Sequence, residues 1–138
     1  FQDDVIFDII INFKIKDFLT RNKDLKWNIL NLGSSQHNWE NFKDNDFNMD
    51  KKYYKSRKNT FGAFASSYKK EIFTQLINRL DNININYDNL IAYEFTKNFY
   101  TIYPNICIAN LENSKTGMNA RNIKEYSRKF KWDLNNFT

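Results

Sequence analysis

The sequence predicts a small α+β domain. Its N-terminal β-hairpin packs on a buried central helix at 61–80, and a C-terminal amphipathic helix follows at 119–137. Residues 5–16 alternate between apolar and polar positions, whereas the two later stretches repeat apolar residues every three or four positions. Early alternation followed by helices is typical of the α+β class, and a mostly α fold is the alternative. A length of 138 residues fits a single domain, 1–138.

The N-terminal stretch 5–16 has the period of a half-buried strand. Its alternating apolar side chains are Val5, Phe7, Ile9, Ile11, Phe13 and Ile15. Residues 25–32 alternate again and provide the partner strand of a hairpin. The competing interpretation of 5–16 is a helix capped by Asp3 and Asp4, which would bury Ile6, Ile9, Ile10 and Phe13. The sequence leaves the choice between strand and helix open.

Residues 33–48 are polar with scattered aromatic side chains. They predict a long loop that is pinned by Trp39, Phe42 and Phe47.

The central stretch Phe61–Leu80 has the clearest helical period in the chain. Its apolar face consists of Phe61, Phe64, Ala65, Tyr68, Ile72, Leu76 and Leu80. Phe73 and Ile77 widen this face to an arc of roughly 220°, which predicts packing on two sides. Asn59 or Thr60 would cap the helix.

The following residues are harder to assign. The stretch 90–103 fits a helix or a strand, with the helix favoured and Pro104 ending it. A short strand is predicted around Ile106 and Ile108. The last helix, 119–137, has Asn119 as its cap and an apolar stripe formed by Ile123, Tyr126, Phe130, Leu134 and Phe137.

Composition excludes several kinds of site. One cysteine and one histidine exclude an internal disulfide, a Cys-rich zinc site and a multi-His metal site within this chain, and no cofactor is predicted. The scarcity of cysteine fits a reducing, intracellular compartment, and no apolar run is long enough to span a bilayer. The phenylalanine at position 1 leads us to expect a processed product or a piece of a longer chain. The net charge of +5 favours an acidic partner, although the abundance of Asn and Lys is also typical of an AT-rich genome.

Two basic stretches carry aromatic side chains. The first comprises Lys51, Lys52, Tyr53, Lys55, Arg57 and Lys58, with Tyr54 beside Tyr53. The second is a stripe on the last helix formed by Arg121, Lys124, Arg128, Lys131 and Trp132. Lysine and arginine neutralise phosphates and aromatic rings stack on bases, so these residues predict a nucleic-acid-binding surface. The alternative is that the cations solvate outer faces while Tyr53, Tyr54 and Trp132 pack inside.

The leading prediction of function is therefore a non-enzymatic binding module that contacts RNA or DNA by phosphate neutralisation and stacking. A protein-interaction or structural subunit of a larger assembly is the alternative, favoured by the surplus of aromatic residues. A third interpretation is a fragment of a metal-dependent nuclease that uses Asp3, Asp4, Asp8, Glu94 and Glu112, with Lys97 nearby. The spacing of these carboxylates matches no known motif, and no catalytic residue is predicted.

Overall fold

The computed structural model describes residues 5–62, 65–80, 84–111 and 122–137. Within these residues the strands are β1 (Val5–Phe7), β2 (Ile29–Asn31), β3 (Ser35–Gln36), β4 (Phe47–Asn48), β5 (Tyr53–Lys55), β6 (Thr60–Phe61), β7 (Ser66–Tyr68), β8 (Phe99–Ile102) and β9 (Cys107–Ala109). The helices are α1 (Ile11–Arg21), α2 (Lys70–Leu80), α3 (Tyr87–Glu94) and α4 (Ile123–Phe130). Short 3₁₀ turns span Trp39–Asn41, Asp44–Asp46 and Leu134–Asn136.

Five of the strands form a mixed sheet in the order β4-β5-β8-β2-β7. Strands β2 and β8 run parallel, and the other pairs in this sheet are antiparallel. Two small antiparallel ladders, β1 with β9 and β3 with β6, lie outside it. The predicted α+β class is therefore confirmed.

The sheet separates two apolar clusters because side chains alternate across it. On one side, α1 packs on β2 and β8 through Phe18, Leu30, Ile102 and Ile106. On the other side, α2 and α3 cover the sheet through Ile29, Ile72, Leu76, Leu90, Ile91, Phe95 and Phe99. A third cluster joins β9 to the C-terminal region through Ala65, Cys107, Ile108, Leu111, Phe130 and Trp132.

The predicted N-terminal hairpin is wrong. Strand β1 covers only Val5–Phe7 and pairs with β9, and the strand within 25–32 pairs with β7 and β8 instead. Residues 11–21 are helical, and the backbone N–H of Ile10 donates to Oδ1 of Asp8 at 2.9 Å just before the helix begins. The buried face predicted for the helical alternative is also wrong, because Ile9, Ile10 and Phe13 are exposed.

The central helix begins later than predicted. Thr60 and Phe61 pair with β3, Gly62 has a φ of 91°, and Ser66–Tyr68 is an edge strand. Helix α2 starts at Lys70, so Asn59 and Thr60 do not cap it. Ile72 and Leu76 are buried as predicted, but Phe73 and Ile77 are exposed, so only one side of the helix is packed within the described chain.

The C-terminal half contains both structures that were considered for 90–103. Helix α3 ends at Glu94 and strand β8 begins at Phe99. The short strand near Ile106 and Ile108 is present as β9. Within the predicted helix at 119–137, α4 spans Ile123–Phe130, and Asn119 lies outside the described residues.

Candidate nucleic-acid interface

The first basic stretch lies on β5 and the turns at its two ends. Tyr54 is fully buried, and the ring of Tyr53 makes edge contacts with Phe18 and Tyr100 at centroid distances of 6.4 and 5.3 Å. Tyr54 therefore belongs to the interior, and Tyr53 is partly buried against these two rings. Lys51, Lys55 and Lys58 are exposed. Lys52 forms an ion pair with Asp17, with Nζ of the lysine 3.0 Å from Oδ2 of the aspartate.

Arg57 is held in place by two contacts. Its guanidinium forms an ion pair with the buried carboxylate of Asp46 and lies 5.7 Å from the centre of the Phe42 ring. The backbone N–H of Lys43 also donates to Oδ2 of Asp46 at 2.9 Å. These contacts fix the guanidinium beside the segment 33–48.

That segment is pinned by its aromatic side chains, as the sequence predicts. They form the Trp39 cluster, which we define as Trp39, Phe42, Phe47, Tyr54 and Tyr103. The rings of Trp39 and Phe42 have centroids 5.3 Å apart, and Phe47 stacks on Trp39 at 5.7 Å with an interplanar angle of 16°. Tyr54 anchors the cluster to the interior by a hydrogen bond of 2.5 Å between its hydroxyl and that of Ser34. Burial raises the pKa of Tyr54, so the phenol stays protonated.

The indole N–H of Trp39 has no hydrogen-bond partner within the described residues, although the side chain as a whole is only partly buried. The cluster is therefore held together by ring packing, and its outer rings, Trp39 and Phe42, remain accessible in part.

Lys131 brings the second basic stretch to the same cluster. It ends α4 with a left-handed backbone, φ 54°, and its Nζ lies 4.7 Å from the centre of the Trp39 ring. Arg57 and Lys131 thus lie over neighbouring rings, although 74 positions separate them in the sequence. The structure brings together one cation from each predicted stretch.

The other members of the second stretch have different positions. Lys124 and Arg128 are exposed on α4, and Arg121 lies outside the described residues. The predicted exposure of Trp132 is wrong, because its side chain is 5% exposed and its Nε1 donates to the backbone O of Ser34 at 2.8 Å. The left-handed residue Lys131 redirects the chain, so the helical spacing no longer applies at position 132.

His37 and Lys129 lie near this surface and were not predicted as site residues. The imidazole contacts the rings of Phe61 and Phe130 at centroid distances of 5.6 and 4.8 Å. Burial, with a contribution from the charge of Lys129, lowers the pKa of His37, so the ring is neutral at pH 7. The Lys129 ammonium also lies 5.5 Å from the centre of the Phe130 ring. The pairing of β3 with β6 brings Phe61 close to His37, and the docking of the C-terminal region brings Phe130 and Lys129.

The acidic residues considered for a nuclease are engaged elsewhere or lie outside the described residues. Asp8 binds Lys14, with Oδ2 2.5 Å from Nζ, and Glu94 binds Arg79, with Oε1 2.5 Å from Nη2. Asp3, Asp4 and Glu112 are not among the described residues. Within the described ranges, no group of three or more His, Cys, Asp or Glu side chains is arranged to hold a metal ion.

Comparison of the chain with protein-family models, with curated proteins and with solved structures found no match. Among the helices of the described segments, none has the length and apolar character needed to cross a bilayer.

Proposed function

We propose that the chain is a non-enzymatic module that binds single-stranded RNA or DNA, largely independently of sequence, on the surface formed by the Trp39 cluster, Arg57 and α4. The observation that carries this proposal is the convergence of Arg57 and Lys131 on the neighbouring rings of Phe42 and Trp39. A cation beside a partly exposed aromatic ring can neutralise a phosphate while the ring stacks on the adjoining base.

The charges of the two basic stretches favour a polyanion. Lys58, Lys124, Arg128 and Lys131 are exposed and have no carboxylate partner within the described residues. Arg57 is partly compensated by Asp46, so Lys131 would be the stronger phosphate contact of the two cations beside the rings. Further phosphate contacts would come from the other exposed cations of the two basic stretches.

Stacking at Trp39 requires one rearrangement. Phe47 already covers part of the indole, and the Lys131 ammonium lies over the ring. In our proposal, a base takes the place of the ammonium over Trp39, and Lys131 turns to the adjoining phosphate. Lysine has a flexible four-carbon stem, so this exchange needs no backbone movement.

Tryptophan fluorescence tests the binding. The protein is titrated with single-stranded RNA, single-stranded DNA and duplex DNA at low and moderate salt. The chain has three tryptophans, Trp27, Trp39 and Trp132, of which Trp132 is buried. We expect single strands to quench the fluorescence with a steep negative salt dependence. The quenching should persist in Trp27→Phe and disappear in Trp39→Phe. No response at low salt, where electrostatic attraction is strongest, would reject the proposal.

The contribution of the cations is tested with a charge-matched pair of variants. Lys131→Asn combined with Arg128→Gln removes two charges at the proposed surface, and asparagine tolerates the left-handed backbone at position 131. Lys70→Gln combined with Lys97→Gln removes two exposed charges elsewhere. We expect only the first variant to lower the salt slope, by about 2 if both phosphate contacts are made. Equal effects in both variants would indicate binding by net charge alone.

A second candidate function is a protein-interaction or structural subunit, which a different observation favours. Phe73, Ile77 and Leu80 are 46%, 57% and 41% exposed and recur at helical spacing along α2. An exposed apolar stripe of this kind is typical of an interface. Mass measurement in solution tests this candidate. A complex with a partner or with a second copy supports it if the double variant Phe73→Ser with Ile77→Ser no longer forms that complex. A monomer without a partner argues against it.

A further inference from the structure

A second apolar surface lies at the start of α1, apart from the α2 stripe. Ile9 and Phe13 are 71% and 67% exposed, and Ile10 is 49% exposed. At about 100° per residue, Phe13 lies roughly 140° around the helix from the buried Phe18. Phe13 therefore projects away from the core.

Basic residues accompany these apolar side chains. Lys16 and Lys23 are exposed and have no carboxylate partner within the described residues. Among the nearby carboxylates, Asp8 binds Lys14, and Asp17 binds both Lys52 and Arg21. Hydrogen bonds from Lys52 and Arg21 lower the pKa of Asp17, which keeps these ion pairs formed at neutral pH. Asp24 is exposed beside Lys23, so the two lysines and this carboxylate leave a net positive charge next to the projecting apolar side chains.

We propose that this surface, defined as Ile9, Ile10, Phe13 and Lys16, with Lys23 just beyond the end of α1, docks on an anionic lipid bilayer. Apolar side chains on an amphipathic helix enter the boundary between headgroups and acyl chains, while flanking lysines bind lipid phosphates. A bilayer fits better than a folded partner, because side chains as exposed as Ile9 and Phe13 project from the surface. A protein would need a matching groove for them, whereas a lipid layer adapts to any projecting shape.

The test is co-sedimentation of the chain with vesicles of phosphatidylcholine alone and with vesicles that also contain phosphatidylserine. We expect binding to the anionic vesicles and little binding to the neutral ones, with affinity falling as salt is added. Phe13→Ser should weaken the binding about tenfold, because a buried aromatic ring contributes about an order of magnitude in affinity. Lys16→Gln with Lys23→Gln should weaken only the anionic-vesicle binding.

The matched control is Ile85→Ser, which removes a half-exposed apolar side chain that belongs to neither apolar surface. It should leave vesicle binding unchanged, and circular dichroism checks that both variants fold. Three results would overturn the proposal: no binding to anionic vesicles at low salt, equal losses in Phe13→Ser and Ile85→Ser, or a dimer that Phe13→Ser dissociates. The last result would assign the surface to a second copy of the chain. The proposal is independent of nucleic-acid binding, since the two assays depend on different residues.

Discussion

At the scale of single residues, position 33 has no room for a side chain. A Cβ on Gly33 would lie 1.9 Å from the carbonyl O of Cys107 and 3.0 Å from its Sγ. The obstacle includes backbone, which cannot move aside as the end of a flexible side chain does. We expect Gly33→Ala to lower the free energy of unfolding by about 1–3 kcal/mol, measured by urea denaturation. Ser35→Ala, in the neighbouring strand, should change it by less than about 0.5 kcal/mol. Equal stability of Gly33→Ala and the natural chain would contradict this packing.

His37 makes a second prediction at this scale, and its pH dependence has a definite sign. Burial lowers the pKa of the folded imidazole, so the unfolded chain binds the proton more readily. Stability should therefore decrease as pH falls below the unfolded value of about 6.5, and this part of the decrease should be absent in His37→Gln. Since His37 is the sole histidine, NMR titration reads its imidazole directly. A measured pKa at or above 6.5 would show that the ring is not shielded as described.

Residue-level reasoning from sequence identified the cations of the candidate site but misplaced its aromatic rings. Lys131 and Arg57 were predicted, whereas Trp132 was expected to be exposed and is buried. The reason is local, because a helical wheel assumes that the helix continues, and α4 ends at Phe130. Nothing in the sequence around Lys131 signals a left-handed residue, since lysine rarely adopts that conformation.

At the scale of elements, an asparagine immediately precedes each of the helices α3 and α4, but only one of the two side chains caps its helix. The side chain of Asn122 accepts hydrogen bonds from the backbone N–H groups of Lys124 and Glu125 at 3.0 and 3.4 Å. Asn86 precedes α3 and makes no such bond. We expect Asn122→Ala to cost about 1 kcal/mol in the free energy of unfolding, and Asn86→Ala to cost much less. Chemical denaturation of both variants tests this, with Asn122→Ser expected to restore most of the loss. Equal losses at both positions would mean that the cap does not account for the effect.

The helices and strands were predictable where one apolar period was unambiguous. Within Phe61–Leu80, the spacing correctly locates the buried side chains Ile72 and Leu76, but the helical period before Lys70 is coincidental. In the sequence, the glycine at position 62 was a signal that the helix does not extend back to Phe61. In the structure, Gly62 has a positive φ. Residues 5–16 contain so many apolar side chains that the sequence fits both the period of a strand and the period of a helix. Tertiary packing then decides, and it buries Phe18 rather than Phe13.

At the scale of the whole molecule, the α+β class was predictable, but the arrangement of its parts was not. The class follows from local periods, whereas the order β4-β5-β8-β2-β7 depends on pairings between distant residues. The candidate site has the same dependence. Lys131 reaches Trp39 because the C-terminal region docks on β9 and on the segment 33–48. A single sequence without structure cannot show that two basic stretches meet.

Trp132 holds that docked arrangement and gives the last prediction. Its indole packs on Phe130 at a centroid distance of 5.2 Å, and its N–H donates to the backbone O of Ser34, joining residues 98 positions apart. Trp132→Phe keeps an aromatic ring but removes one of two donors to this carbonyl, which still accepts from Nδ2 of Asn105 at 2.9 Å. We therefore expect a loss of about 0.5–1.5 kcal/mol in the free energy of unfolding. Trp132→Ala removes the packing as well and should cost about 3–5 kcal/mol.

Binding to single-stranded RNA separates the two roles that Trp132 could have. If it only positions Lys131, Trp132→Phe should bind nearly as well as the natural chain under conditions where it is fully folded, and Trp39→Phe should bind more weakly. Urea denaturation first identifies those conditions, and affinity is then measured by the anisotropy of a fluorophore on the RNA, since Trp39→Phe lacks the quenching signal. A loss of affinity in Trp132→Phe as large as that in Trp39→Phe would contradict a purely structural role. The binding surface would then have to include the region where α4 meets Ser34.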